Sequence, residues 1–171
     1  MKPHAHPPRP AAHLTVQDLL TLGHLLPASA RELVRCVGEC AALLLLNQLP
    51  GLILPMPKTA TGNRHGARRW QQLAALVGQD ATALIAAQYG GFVLEINTCA
   101  ALRTERRRRW LRAGFDMLTT GPGGLSKNHA IEQLAIELAR AGDPMSNRGI
   151  EQAVDSADSA ALLQDQFKLF A

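Results

Sequence analysis

The residues best suited to chemistry in this sequence are arginines, crowded into the stretch LRTERRRRWLRAG at positions 102–114. Six arginines stand there against one acid, Glu105, although the whole chain carries a formal net charge of only +4. Guanidinium groups bind phosphate oxygens well, and phosphate neutralisation supplies much of the affinity of proteins for nucleic acids. The stretch therefore favours a contact with double-stranded DNA, made by Arg103, Arg106, Arg107, Arg108, Arg109 and Arg112.

A second interpretation is that these arginines form a solvated helix face that pairs with the acids downstream, Asp155, Asp158 and Asp165. We favour the DNA contact, because six arginines with one acid exceed what solubility requires. Net charge is uneven along the chain, at +6 for residues 62–112 and −4 for residues 113–171. Further basic residues expected at such an interface are Arg64, Arg68, Arg69 and Lys127.

Three residues near the end of the chain could read bases. Ser146, Asn147 and Arg148 come at the start of a short predicted helix. Asparagine can bond adenine and arginine can bond guanine, each with two hydrogen bonds, while a serine oxygen or a helix N-terminus suits a phosphate. Predicted helices at 104–118, 126–141 and 146–154 fit a helix-turn-helix unit, although the last turn is one residue longer than in the compact motif.

Other reactive residue types show no catalytic or metal-binding pattern. The opening MKPHAHPPRPAAH has spaced histidines but no cysteine or acidic ligand, so we interpret it as a disordered arm. Cys36 and Cys40, four residues apart on an apolar helix, are expected to pack in the core. The Walker, HExxH, GxSxG and paired CxxC motifs are all missing, and GPGG at 121–124 is predicted to be a linker. We expect no enzyme activity, no catalytic or metal site and no cofactor.

A duplication organises the first half of the chain. The segment LVRCVGECAALLLLNQLPGLILPMP (33–57) aligns with LAALVGQDATALIAAQYGGFVLEIN (73–97) at an offset of 40 residues without a gap. Each copy is predicted to be a helix, a glycine stop and a short strand. The two strands are candidates to pair with each other, which would bury within one chain what a homodimer buries between two.

These elements predict a mostly α fold with a few short β-strands. A duplicated helix-strand unit (14–100) follows the arm (1–13) and precedes a C-terminal three-helix, helix-turn-helix-like unit (101–154) and an acidic tail (155–171). A helix in the loop-to-helix segment 58–72 should begin at about Ala67. The longest apolar run, CAALLLL, is too short for a membrane span, and three cysteines make no disulfide framework, so a cytoplasmic protein without a membrane role is expected.

The segment LPASARELVRCVGECAALLLLNQLPGLILPMPK resembles the dimerisation part of the Mor transcription activator family of Mu-like phages. The second copy carries the Gly90-Gly91 pair of that pattern, and LARAGDPMSNRGIEQAV is similar to the family's terminal recognition segment. The chain departs from the family pattern by having two helix-strand units, and the second strand ends at Asn97 instead of a proline.

The resemblance implies activation of transcription from a phage or prophage promoter by a dimer that binds duplex DNA. Host RNA polymerase is a further candidate partner, and the chain is expected to be a homodimer or a pseudo-dimeric monomer. The alternative is a small phage or mobile-element protein that blocks or recruits a host protein, with its arginine helix on an acidic surface. Such a factor would need an apolar patch, whereas DNA reading needs Ser146 to Arg148 exposed beside the arginines.

Overall fold

The computed structural model of the protein describes residues 13–61 and 63–156. The predicted fold class is confirmed, because this part of the chain is mostly helical with one small two-stranded sheet. The predicted arm, apart from His13, and the acidic tail from residue 157 onward lie outside the described residues. In chain order the elements are α1 (Val16–Leu22), a 3-10 turn (Gly23–Leu25), α2 (Ala28–Gln48), β1 (Ile53–Pro55), α3 (Arg64–Val77), α4 (Gln79–Tyr89), β2 (Val93–Glu95), α5 (Ala100–Thr119), α6 (Lys127–Arg140) and α7 (Asn147–Asp155).

The chain divides into two compact units, and the boundary falls between Arg103 and Thr104 within α5. Each unit has its own apolar core. The first core is built on leucines of α1, α2 and α3 together with Ile85, Leu94 and Ile96. The second core joins α5, α6 and α7 through Trp110, Leu111, Leu118, Ala130, Ile131, Leu134, Leu138, Ile150 and Ala153.

The strand pairing in the first unit follows the duplication. β1 and β2 are antiparallel, with Leu54 opposite Leu94, its counterpart in the repeat. The hydrogen bonds that flank the strands are also symmetric: Gly51 N–H donates to Ile96 O (2.7 Å) and Gly91 N–H donates to Met56 O (3.0 Å). The prediction that the two strands pair with each other is therefore confirmed, and the pairing is symmetric about Leu54 and Leu94.

A glycine breaks the helix at the same place in each copy. Gly38 has φ 80° and ψ 166°, and Gly78 has φ 89° and ψ 162°, a region of backbone space that is essentially reserved for glycine. The first break bends α2, and the second separates α3 from α4. The prediction that Cys36 and Cys40 share a core face is wrong for Cys40, which is exposed, because the break at Gly38 interrupts the helical spacing between them.

Local signals set most helix ends of the second unit. Ser126 and Ser146 cap α6 and α7 as predicted, each accepting a hydrogen bond from the backbone N–H three residues later. Gly142, at φ 74°, ends α6: its N–H bonds Ala139 O, and the N–H of Asp143 bonds Leu138 O. In the first unit α3 begins at Arg64, three residues before the predicted start, because Asn63 caps it by accepting a bond from Gly66 N–H.

Candidate nucleic-acid interface

The predicted base-reading residues lie at the exposed N-terminus of α7. Ile150 and Ala153 are buried against the second core, which fixes the helix and leaves Asn147 and Arg148 on its solvent side. The Ser146 Oγ accepts a hydrogen bond from Gly149 N–H at 3.2 Å, so this hydroxyl is engaged as a cap. The side chains of Asn147 and Arg148 make no hydrogen bond or ion pair with the described residues, so their polar groups are available to a ligand.

A polar groove runs between α6 and α7 beside these residues. Its volume is about 420 Å³, and its walls include Asn128, Glu132, Asn147, Arg148 and Glu151. Amide, guanidinium and carboxylate groups therefore offer both hydrogen-bond donors and acceptors in the groove at the start of α7. Asn128 and Glu132 were not singled out from the sequence, since nothing local marks them as neighbours of residues 147–151.

Lys127 is engaged with α7 itself. Its Nζ lies 2.9 Å from a carboxylate oxygen of Glu151 and 3.3 Å from one of Asp155. The hydrogen bond to Glu151, and to a smaller extent the one to Asp155, raises the pKa of Lys127 above its ordinary value. A phosphate would therefore have to compete with two exposed carboxylates for Lys127. In the absence of a phosphate, Lys127 offsets the negative charge of these carboxylates on the face of α7 that also carries Arg148.

Glu105, the lone acid of the arginine run, organises its second half. This carboxylate is only 5% exposed. Arg112 contacts it at 2.7 Å, and Arg108 and Arg109 lie 3.9 Å from it. Arg112 also donates to the backbone oxygen of Ser156 at 2.9 Å, which ties α5 to the end of α7. Arg112 therefore serves the packing of the unit and is largely covered.

Arg107 connects the arginine helix to the turn that leads into α7. Its guanidinium contacts Asp143 at 2.6 Å, and Asp143 lies three residues before Ser146. Arg107 keeps 44% of its side chain exposed and Arg108 keeps 46%, so both present charge to solvent. Arg106 and Arg109 are half-buried. The structure thus brings Arg107 near the start of α7, together with Ser146, Asn147 and Arg148.

The remaining predicted arginines belong to the first unit. Arg103 donates to Leu46 O and to Thr98 O, both at 2.9 Å, so it satisfies a carbonyl in the last turn of α2. Arg69 donates to Pro55 O at 2.7 Å and holds α3 against β1. Arg64 and Arg68 are exposed on α3. The run from Arg103 to Arg112 is therefore divided between structural and exposed positions.

Comparison with known proteins found no matching family model, no matching curated protein and no matching solved structure. The likeness to the Mor family consequently depends on the residues quoted above. Among the described residues, the helices are too short or too polar for any of them to cross a bilayer.

Proposed function

We propose that the protein is a DNA-binding transcriptional regulator that reads bases with the N-terminus of α7. The observation that carries this proposal is the exposure of Asn147 and Arg148 at the start of the third helix in a compact three-helix unit. A helix presented in this way can enter a major groove with its first residues against base edges. In line with the resemblance to the Mor family, we place it in a phage or mobile element and expect it to act as an activator that contacts host RNA polymerase.

The phosphate contacts are assigned within the same unit. Arg107 and Arg108 are the exposed arginines of the run, whereas the other four are half-buried. The ion pair with Asp143 puts Arg107 beside the turn before α7. Phosphate contacts on either side of a recognition helix fix its register without reading sequence. We therefore assign backbone anchoring to Arg107 and Arg108, and base reading to Asn147 and Arg148.

The test is selection of bound sites from a random pool of DNA duplexes with the full-length protein. On the enriched site, Arg148→Ala should weaken binding by about 1 to 3 kcal/mol and should weaken binding to random DNA far less, because a bidentate arginine-guanine contact discriminates by that amount. Asn147→Ala should relax the preference at a different base. Arg35→Ala, an exposed position on α2, removes the same charge and is the matched control.

Two outcomes would contradict the proposal. The first is an enriched site whose base preferences survive both substitutions, since another element would then be reading it. The second is the absence of any enriched site together with equal loss of affinity for the Arg148→Ala and Arg35→Ala variants, which would reduce the interaction to general charge.

One observation favours the second candidate, a factor that binds a host protein. The outward face of the two-stranded sheet carries exposed apolar side chains, with Ile53 62%, Val93 56% and the adjacent Phe92 72% exposed. Apolar patches of this kind occur at protein-protein contacts. If this face binds a host protein, Phe92→Ser should abolish a specific host-protein complex in a pull-down, while DNA binding by the full-length protein stays unchanged.

A further inference from the structure

Residues 41–79 of the first unit contain basic side chains but no acidic residue. The basic residues of this stretch are Lys58, Arg64, Arg68 and Arg69. Lys58, Arg64 and Arg68 are exposed and make no ion pair with the described residues. Charges of both signs are interspersed on a surface that serves solubility alone, so a stretch with one sign of charge suggests an anionic partner.

Part of this charge converges in a groove between β1, the segment that follows it and the start of α3. The volume of the groove is about 310 Å³, and none of the described residues that line it is acidic. The polar side chains on its walls are those of Lys58, Thr59, Asn63, His65 and Arg69. The stem of Lys58 lies across the turn before β2, where a Cβ at Gly91 would meet Lys58 Cε at 2.6 Å. A cleft whose charges have one sign concentrates the potential that attracts the opposite sign.

The basic residues of α3 do not serve the stability of that helix. Acidic side chains are favourable in the first turn of a helix, and basic ones are unfavourable there, because the helix dipole is positive at this end. α3 begins with Arg64 and His65 and carries Arg68 and Arg69 in its second turn, but it has no acidic residue in its first turn. This arrangement costs the helix some stability, which an anion bound beside these side chains would offset.

The duplication provides an internal comparison for these charges. The offset of 40 residues pairs Lys58 with Thr98, Arg68 with Ala28, and Arg69 with Ser29. Lys58 and Thr98 occupy equivalent places, because a Cβ at Gly51 would meet Thr98 Cγ2 at 3.3 Å, just as one at Gly91 would meet the stem of Lys58. The first copy forms the same helix, glycine break and strand without a basic residue at these positions. The shared fold therefore does not require the charge of Lys58 or Arg68.

We propose that the exposed side chains of Lys58, Arg64, His65 and Arg68, here called the α3 surface, bind the phosphate backbone of duplex DNA. Ammonium and guanidinium groups bind phosphate oxygens strongly, and such contacts carry no sequence information. The α3 surface belongs to the first unit, whereas the phosphate contacts assigned above to Arg107 and Arg108 belong to the second. The inference rests on the proposed function for the identity of the polyanion, but it does not depend on base reading by α7.

An exchange between the two copies tests the α3 surface in the full-length protein. The double variant Lys58→Thr with Arg68→Ala receives at both positions the residue that the other copy carries there. On duplex DNA of random sequence, fluorescence anisotropy should show a loss of affinity of about tenfold and a decrease of about 2 in the slope of log K against log salt, because two phosphate contacts are lost. The matched control is Arg31→Gln with Arg35→Ala, which also exchanges residues between the copies and removes the same charge from exposed positions of α2. Its slope should stay nearly unchanged.

Equal slopes of the two double variants would overturn the proposal. A loss of affinity confined to one selected site would also overturn it, since a backbone contact acts on every sequence. If Arg148→Ala leaves the base preferences intact while Lys58→Thr with Arg68→Ala lowers the slope, base reading by α7 fails and the α3 surface stands; the reverse result removes the α3 surface alone. If thermal unfolding shows that the exchange variant does not fold, Arg64→Ala with Arg68→Ala, both at exposed helical positions, replaces it with the same expected slope.

Discussion

Among the described residues, Glu105 is the one acidic residue that is buried, and a buried carboxylate requires compensation by its neighbours. It receives that compensation from Arg112 at 2.7 Å and from Arg108 and Arg109 at 3.9 Å. Part of the arginine run is thus paired within the run itself, whereas the second interpretation paired it with Asp155, Asp158 and Asp165; the last two of these lie outside the described residues. The tail contributes Asp155, which pairs with Lys127.

Replacement of Glu105 by glutamine should lower the free energy of unfolding by about 2 kcal/mol or more. The physical reason is that the guanidinium groups of Arg108, Arg109 and Arg112 would lose the buried negative charge that they contact. Urea unfolding of the full-length protein measures the effect. Glu132→Gln, an exposed substitution on α6, should change stability by no more than about 0.5 kcal/mol. Equal stability of both variants would show that Glu105 is not an organising residue.

The three cysteines should differ in reactivity. Cys99 is fully buried, and this burial raises its pKa despite the opposing charge of Arg103, whereas Cys40 is exposed. Because the thiolate is the reactive form, Cys99 should stay a thiol to higher pH than an ordinary cysteine. With a disulfide reagent at pH 8, mass spectrometry should find Cys40 modified quickly and Cys99 only after denaturant is added. Early modification of Cys99 in the folded protein would contradict its burial.

At the scale of elements, the paired glycine breaks are the feature that shapes the first unit. A Cβ at Gly38 or Gly78 would meet no atom within 4 Å, so only the backbone conformation demands glycine there. Helix propensity alone would treat these glycines as mild defects in one long helix. The positive φ at both positions instead lets each copy change direction at the same point before its strand.

Gly78→Ala should therefore lower the free energy of unfolding by about 1 to 3 kcal/mol, which is the cost of holding a residue with a Cβ in this region. Gly38→Ala should behave alike, since its dihedral angles are nearly the same. Gly23→Ala is the control: its φ of −57° suits any residue and the space around it is open, so it should be neutral or slightly stabilising. Urea unfolding distinguishes these cases, and equal effects of Gly78→Ala and Gly23→Ala would contradict the backbone argument.

Features that depend on residues close together in the sequence could be predicted, and most of those that depend on contacts between distant residues could not. The caps at Ser126 and Ser146 and the turn at Gly142 depend on neighbours within a few residues, and the repeat offset made the strand pair a clear candidate. The breaks at Gly38 and Gly78 were missed because a glycine inside a helical pattern does not reveal its φ. The partners of the arginines were missed too, since Arg103 reaches Leu46 across 57 residues and Arg107 reaches Asp143.

At the scale of the whole molecule, the separation of basic and acidic segments bears on DNA binding. Residues 62–112 carry a net charge of +6, and the segment that contains α7 carries −4. A net attraction of the chain for DNA and a set of defined phosphate contacts would both weaken with salt. A substitution distinguishes the two cases. Loss of an arginine that contacts a phosphate removes one released counterion and lowers the salt dependence of binding, whereas loss of an arginine that contributes only to the net charge does so much less.

The full-length protein should bind duplex DNA with an affinity that falls steeply with salt, and a double substitution of Arg107 and Arg108 by glutamine should reduce the slope of log K against log salt by about 2. Fluorescence anisotropy at several salt concentrations measures this slope. Arg31→Gln with Arg35→Gln, both exposed on α2, removes the same formal charge and should leave the slope nearly unchanged. Because the two double variants have equal net charge, equal slopes would mean that Arg107 and Arg108 do not contact phosphate, and a smaller slope for the first variant alone would assign the contacts to them.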